Sequence, residues 1–283
     1  MDSAKPLSYK PSVTVIKPIK GWVGLNIREL WLYRELVFFL VWRDVKVRYK
    51  QTLLGAAWAI LKPLFSMIVF TIIFGNLAHL PTDEVPPPLF YFTGLLPWIF
   101  FQDGISKASN SLVSGRNLIT KVYFPRLAIP LSSVVAGLVD FAIAFLVLIG
   151  MMVFYNFTPT SAILVLPLFL LLGMITSLGT GLWLAALNVA YRDIGYVTPF
   201  IVQAWLYLSP VVYSATLIEG DVWQVIYGLN PMAGVVQGFR WAILGVGQPP
   251  SASLAASIAV ALIVLLTGVI YFRRMEQTFA DVV

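Results

Sequence analysis

The chain has 283 residues, 59% of them hydrophobic and only 11% charged, which is too little polar sequence to cover a water-soluble domain. Its +6 net charge comes with no cysteine and a single histidine, His79, which excludes disulfides, thiolate metal sites and any centre built from several imidazoles. Lipid is the expected solvent, and the charges then mark where the chain meets water and partners.

In chain order, the first residues carry Lys5, Lys10, Lys17 and Lys20 ahead of any apolar stretch. No short apolar core followed by a small-residue cleavage site appears, so no cleavable leader is expected. Asn26 can cap a helix, with Glu29 three residues on. Arg28, Arg34, Glu35, Arg43, Asp44, Lys46, Arg48 and Lys50 then surround Leu30, Trp31 and the apolar block 36–42. That block is too short to cross a bilayer. An interfacial amphipathic helix is expected, closing a cytoplasmic N-terminal segment of residues 1–53.

Continuous apolar blocks, rather than short alternations, favour helices over a membrane barrel. Six spans are expected at 55–77, 89–110, 127–154, 163–187, 198–212 and 254–272, making an all-α transmembrane domain over residues 54–272. No Asp, Glu, Lys or Arg occurs at 141–191 or at 194–218. Apart from Lys62, Lys107 and Arg240, every Lys and Arg lies in 1–54, 111–126, 188–197 or 273–283. These alternate connections are then cytoplasmic, as are both termini and the tail 273–283. Between the fifth and sixth spans, residues 215–250 are apolar but broken by Gly220, Gly228, Asn230-Pro231, Gly234, Gly245 and Pro249-Pro250. Two short re-entrant helices dipping from the outer face fit that pattern, and backbone of this kind is tolerated where it lines a cavity or gate.

Much chemistry is missing. There is no Gly-x-x-x-x-Gly-Lys-[Ser/Thr] loop, no His-Glu-x-x-His and no Gly-x-Ser-x-Gly. Asp103 and Asp140 are the only acids well inside spans; Lys107 pairs in sequence with Asp103, and Asp140 has no evident partner. That is too few ionisable groups for an ion-coupled carrier. A membrane enzyme acting on polyprenyl lipids would need clustered acids or histidines, and His79, Asp83, Glu84, Glu219 and Asp221 are scattered. The positive charge reads as topology and anionic lipid, not nucleic acid. The connections 114–126 and 188–196 are short, charged and aromatic, which suits either packing at the membrane surface or docking into a cytoplasmic partner.

The runs Arg43-Asp44-Val45-Lys46-Val47-Arg48-Tyr49-Lys50-Gln51-Thr52-Leu53-Leu54-Gly55 with Trp58 and Lys62-Pro63, Gly94-Leu95-Leu96-Pro97-Trp98, Gly115-Arg116-Asn117-Leu118-Ile119, Lys121-Val122-Tyr123-Phe124-Pro125-Arg126, Tyr191-Arg192-Asp193-Ile194 and Asn230-Pro231-Met232 with Gly238-Phe239-Arg240 resemble, in order and spacing, the ABC-2 type permeases of polysaccharide exporters. The O-antigen and teichoic-acid transporters are of this kind. The resemblance implies a half-transporter in the bacterial inner membrane. Two copies of the chain would pair around a channel, with two copies of a separate ABC ATPase below. ATP and Mg²⁺ would bind in that partner and no cofactor in this chain. It also implies ATPase docking by Arg116, Asn117, Leu118, Lys121, Tyr123, Phe124, Arg126, Tyr191, Arg192 and Asp193. Trp223, Asn230, Pro231, Met232, Phe239 and Arg240 would form a periplasmic gate. For a lipid-linked polysaccharide, Arg34, Arg43, Lys46, Arg48 and Lys50 would meet the diphosphate. Tyr91, Phe92, Trp98, Phe100, Phe101, Trp205, Tyr207 and Tyr213 would line the channel, or form interfacial belts and packing instead. A drug or small-lipid exporter of the same class is the alternative.

Overall fold

The computed structural model describes residues 27–50, 55, 57–122, 124–217, 221–247, 252–276 and 279. The expected Asn26 cap, Tyr123 and the Pro249-Pro250 break lie outside them. The described residues form helices and turns with no strand among them. Among the described residues, four helical stretches are long and apolar enough to cross a membrane: Ala57–Leu77, Ala128–Phe154, Ser161–Ala190 and Ala252–Glu276.

The N-terminal helix is two pieces, α1 (Ile27–Leu32) and α2 (Arg34–Lys50), divided at Tyr33. The expected sorting of α2 into one polar and one apolar face is corrected. Leu40 points inward and is fully buried, yet Phe38, Phe39, Trp42 and Val47 are exposed. Charges gather at the two ends of α2 rather than along one side, with Arg34 and Glu35 at the start and Arg43 to Lys50 at the finish. An apolar girdle thus surrounds the middle of the helix.

The first long stretch joins α3 (Ala57–Phe70) to a π-helical turn, Thr71–Leu77. Next comes α4 (Pro87–Ser114), whose 28 residues span about 42 Å. Prolines at its first positions cost nothing, because those N–H groups have no helical acceptor. Although α4 carries Asp103 and Lys107, it is the central mast: α3, the later α6 (Ala128–Val135), α7 (Gly137–Phe154), α8 (Leu166–Ala190), α9 (Ile194–Leu208) and α11 (Pro231–Leu244) all pack on it. Small residues permit this. A Cβ on Gly181 would stand 2.7 Å from that of Ala108 on α4.

Helix α9 ends earlier than the sequence suggests. Ser209 precedes Pro210, whose ring disfavours a helical residue before it, and Ser209 is accordingly extended at φ −108°, ψ 149°. The carbonyls left beyond this break are taken up by Arg240 of α11, only 4% exposed. Its guanidinium donates to Pro210 O at 2.5 Å, Val211 O at 2.8 Å and Tyr213 O at 3.0 Å, and lies 3.6 Å over the Phe90 ring. Gly94 makes room, since a Cβ there would meet Arg240 Nη2 at 2.7 Å. Between α9 and α11 lies the short α10 (Asp221–Gly228). Asn230 joins all three: its backbone N–H donates to Tyr227 O at 3.1 Å, its Oδ1 accepts from Met232 N and Trp205 Nε1, and its Nδ2 donates to Leu208 O and Ser209 Oγ. The last helix, α12 (Ala252–Glu276), crosses α8 where Gly268 and Gly179 bring the backbones into contact.

Arg240→Met keeps the bulk but removes the donors. Each buried carbonyl left without one costs about 1–3 kcal/mol, so the detergent-solubilised variant should unfold at a clearly lower temperature. An unchanged Tm would show that water replaces the guanidinium.

Candidate docking face and charge-lined cavity

The charged connections all reach one end of the molecule, where a small core of Leu40, Leu112, Ile119, Phe124, Leu127, Val189, Phe272 and Phe279 holds them together. Above this core the 115–126 connection forms α5 (Arg116–Ile119) and then turns into α6. Arg116, Asn117 and Lys121 are exposed on it and Leu118 is half-buried, whereas Phe124 is buried in the core. Tyr191, Arg192 and Asp193 are exposed in the second connection. That turn is pinned from below by buried Asn188, whose Nδ2 donates to Ser109 O at 3.0 Å and whose Oδ1 accepts from Gly195 N at 3.0 Å. Both connections therefore offer charged tips on a fixed base.

Arg126 departs from its expected docking role. Its backbone N–H donates to Glu276 Oε1 at 3.2 Å, its guanidinium donates to the Glu276 carbonyl, and it stands over the Phe279 ring. Arg273 pairs with the other Glu276 oxygen at 3.4 Å. Arg126 is a clasp between this connection and the end of α12.

A second feature is a cavity of about 340 Å³ between the end of α2 and helices α3, α4 and α7. Its floor is apolar, including Pro63, Leu96, Ile99, Phe100, Phe141 and Ala144. Its wall is a chain of charges. Arg48 and Tyr49 of α2 both bond Asp140 of α7; Lys107 lies 3.4 Å from Asp140 and 4.0 Å from Asp103; Lys62 of α3 lies 2.5 Å from Asp103. Burial pushes the Tyr49 phenol above its ordinary pKa against the pull of Arg48, so it remains a donor. Asp140 therefore does have partners, and Asp103 is shared between two lysines rather than held by Lys107 alone. Of the residues assigned to a headgroup rim, Arg34, Lys46 and Lys50 are exposed, Arg43 is paired with Asp44 at 2.7 Å, and Arg48 is turned into the cavity.

For most of the aromatic residues the burial agrees with packing rather than with a lining. Tyr91, Phe92, Trp98, Phe100 and Phe101 are buried within this one chain, because six other helices pack on α4. Trp205 and Tyr213 are half-buried, and only Tyr207 is exposed. In the segment assigned to a gate, Pro231, Met232, Phe239 and Arg240 are buried and Trp223 is exposed. No group of acidic or histidine side chains able to hold a metal is found among the described residues.

Residues 35–244 match the family described as ABC-2 type transporter. The chain belongs to that family. It is 29% identical over 257 residues to the O-antigen export system permease protein RfbA of Myxococcus xanthus, covering 90% of this chain and 98% of that protein. It is 25% identical over 250 residues to the RfbA permease of Klebsiella pneumoniae, with 88% and 95% covered. To the polysialic acid transport protein KpsM of Escherichia coli it is 24% identical over 240 residues, with 83% and 91% covered. Within this ABC-2 transporter chain, sequence reasoning missed Lys62 and Lys107 as a joint site with Asp103 and Asp140. The available signal was that ionisable residues inside spans need partners. The partners themselves lie too far apart in sequence to be read.

Arg126→Ala should free the end of α12, and trypsin should then cut after Arg273 or Arg274 several-fold faster in the folded protein. An equal cutting rate would mean that the apolar contacts of Phe272 and Phe279 hold that end unaided.

Proposed function

We propose that this chain is the permease subunit of an ABC exporter that carries a polysaccharide, borne on a polyprenyl diphosphate, across the bacterial inner membrane. The observation that carries the reading is the docking face: two charged connections with exposed tips, set on one shared core, in a chain without a phosphate-binding loop. Such a chain needs a motor, and this face offers it a seat. The polysaccharide substrate is supported by likeness, over nearly the whole chain, to permeases named for O-antigen and polysialic acid.

In this reading α4 and α9 join the four apolar stretches as membrane spans. That gives six in all, with both termini on the cytoplasmic side where the basic connections gather. Helices α10 and α11 form the periplasmic gate, hung from α9 and α4 by Asn230 and Arg240. Two copies pair around the channel, and two ATPase subunits, which hold ATP and Mg²⁺, sit beneath. The motor's pull enters at Arg116, Asn117, Lys121, Tyr191, Arg192 and Asp193. Arg34, Lys46 and Lys50, exposed at the ends of α2, guide the diphosphate headgroup through charge-assisted contacts. The apolar girdle of α2, with Phe38, Phe39 and Trp42 exposed, suits a helix lying in the membrane interface.

Charge reversal at Arg116 and Arg192 together should abolish co-purification with the partner ATPase, or ATP-driven export, while the permease still inserts in the membrane. Unchanged export in the double variant would sink the docking assignment. Neutralising Arg34, Lys46 and Lys50 should raise the concentration of lipid-linked glycan needed for half-maximal ATPase stimulation; no shift would remove them from substrate handling.

A further inference from the structure

We propose that the cavity between α2, α3, α4 and α7 is a binding site for one monoanionic membrane phospholipid, held by its phosphate. The inference rests on the chain's place in a membrane and not on what it transports.

The charge count comes first. Three cations, Lys62, Lys107 and Arg48, face two carboxylates, Asp103 and Asp140, around one cavity, and Asp44, whose charge also reaches Lys107, is neutralised by Arg43 at 2.7 Å. The five groups sum to a single positive charge on a largely apolar floor. An excess charge beside an apolar floor favours one counter-charge, because the floor leaves it only partly screened. A phosphodiester monoanion brings the sum to zero. A polyprenyl diphosphate, with about two charges, would leave the site negative.

Donor capacity agrees. Each ammonium has three N–H groups. Lys62 meets one carboxylate oxygen, and Lys107 meets one from each aspartate, so both have N–H groups to offer a phosphate oxygen. Their side chains are 44% and 32% exposed, within reach of the cavity mouth. Trp58, also lining the cavity and largely exposed, suits the headgroup level where indoles concentrate. The volume is at the lower end for small-molecule pockets, so it takes the phosphate and the upper part of the tails while the rest stays in the bilayer. A phospholipid seated there would tie the end of α2 to three helices of the bundle.

The test uses the full-length permease with its ATPase partner, purified in mild detergent and examined by native mass spectrometry with added lipids. The expected result is one phosphatidylglycerol retained per permease chain through washing, and phosphatidylethanolamine lost. Lys62→Gln and Lys107→Gln should each lower phosphatidylglycerol retention at least tenfold. Lys62→Gln alters the more exposed of the two and so guards against a folding defect. Asp103→Asn, which adds one positive charge, should strengthen retention and admit a polyprenyl diphosphate. Inorganic phosphate at millimolar concentration should not displace the lipid. The proposal is overturned if phosphatidylethanolamine is held equally well, if both lysine variants retain phosphatidylglycerol, if inorganic phosphate displaces it, or if polyprenyl diphosphate displaces it from the unaltered chain at equal concentration. Export that persists while lipid binding fails would leave the transport reading intact.

Discussion

An ionised side chain in a low-dielectric setting must be paired, and most of this architecture follows from that requirement. Removing a charge from water costs several kcal/mol even after relaxation, and these partly buried groups beside an apolar floor bear a share of that cost. Asp103 and Lys107 ride on the most enclosed helix of the bundle, so α3 must bring Lys62, α7 must bring Asp140, and α2 must bring Arg48 and Tyr49. These charges fix how four helices meet at the basic end. At the other end the same rule works without an acid. Arg240 finds backbone carbonyls freed by the Ser209-Pro210 break, so the irregularity of one helix becomes the solvation shell of a residue on another.

The two ends differ in what they hold fixed. At the basic end, Arg126, Glu276 and Phe279 fasten a loop to the last helix, and Asn188 fastens a second loop to α4. The exposed tips above them therefore stand on an anchored base. At the opposite end, Asn230 and Arg240 link α9, α11 and the start of α4 through short polar bonds. A displacement of α9 therefore reaches α11 directly.

What was legible in the sequence is what depends on nearest neighbours along the chain. Uncharged blocks gave four of the long apolar helices within a few residues, and the Gly and Asn-Pro breakers gave the paired short helices α10 and α11. The alternation of basic and uncharged connections matches the gathering of charged loops at one end. Three things were hidden. Arg48 and Asp140 are 92 residues apart, so their pairing is a property of the packed bundle. The rings of Tyr91, Trp98 and Phe101 look alike whether they face a lumen, lipid or a core, and only the ring of helices around α4 decides. Arg126 reads as one more loop cation until the end of α12 is seen beside it. The early end of α9 was readable from Pro210, whose effect on Ser209 is local.

The meeting of α8 and α12 has a mechanical consequence. A Cβ on Gly268 would lie 2.5 Å from the carbonyl oxygen of Gly179, and Trp183 stacks on Tyr271 with centroids 4.3 Å apart. Backbone against backbone leaves no flexible side chain to absorb slip. A shift by one helical turn, about 5.4 Å, would drive Leu265 or Trp183 into a gap sized for hydrogen. The two helices thus behave as a single spar. With one foot clasped to the loop at Arg126, that spar is built to resist shear along its length.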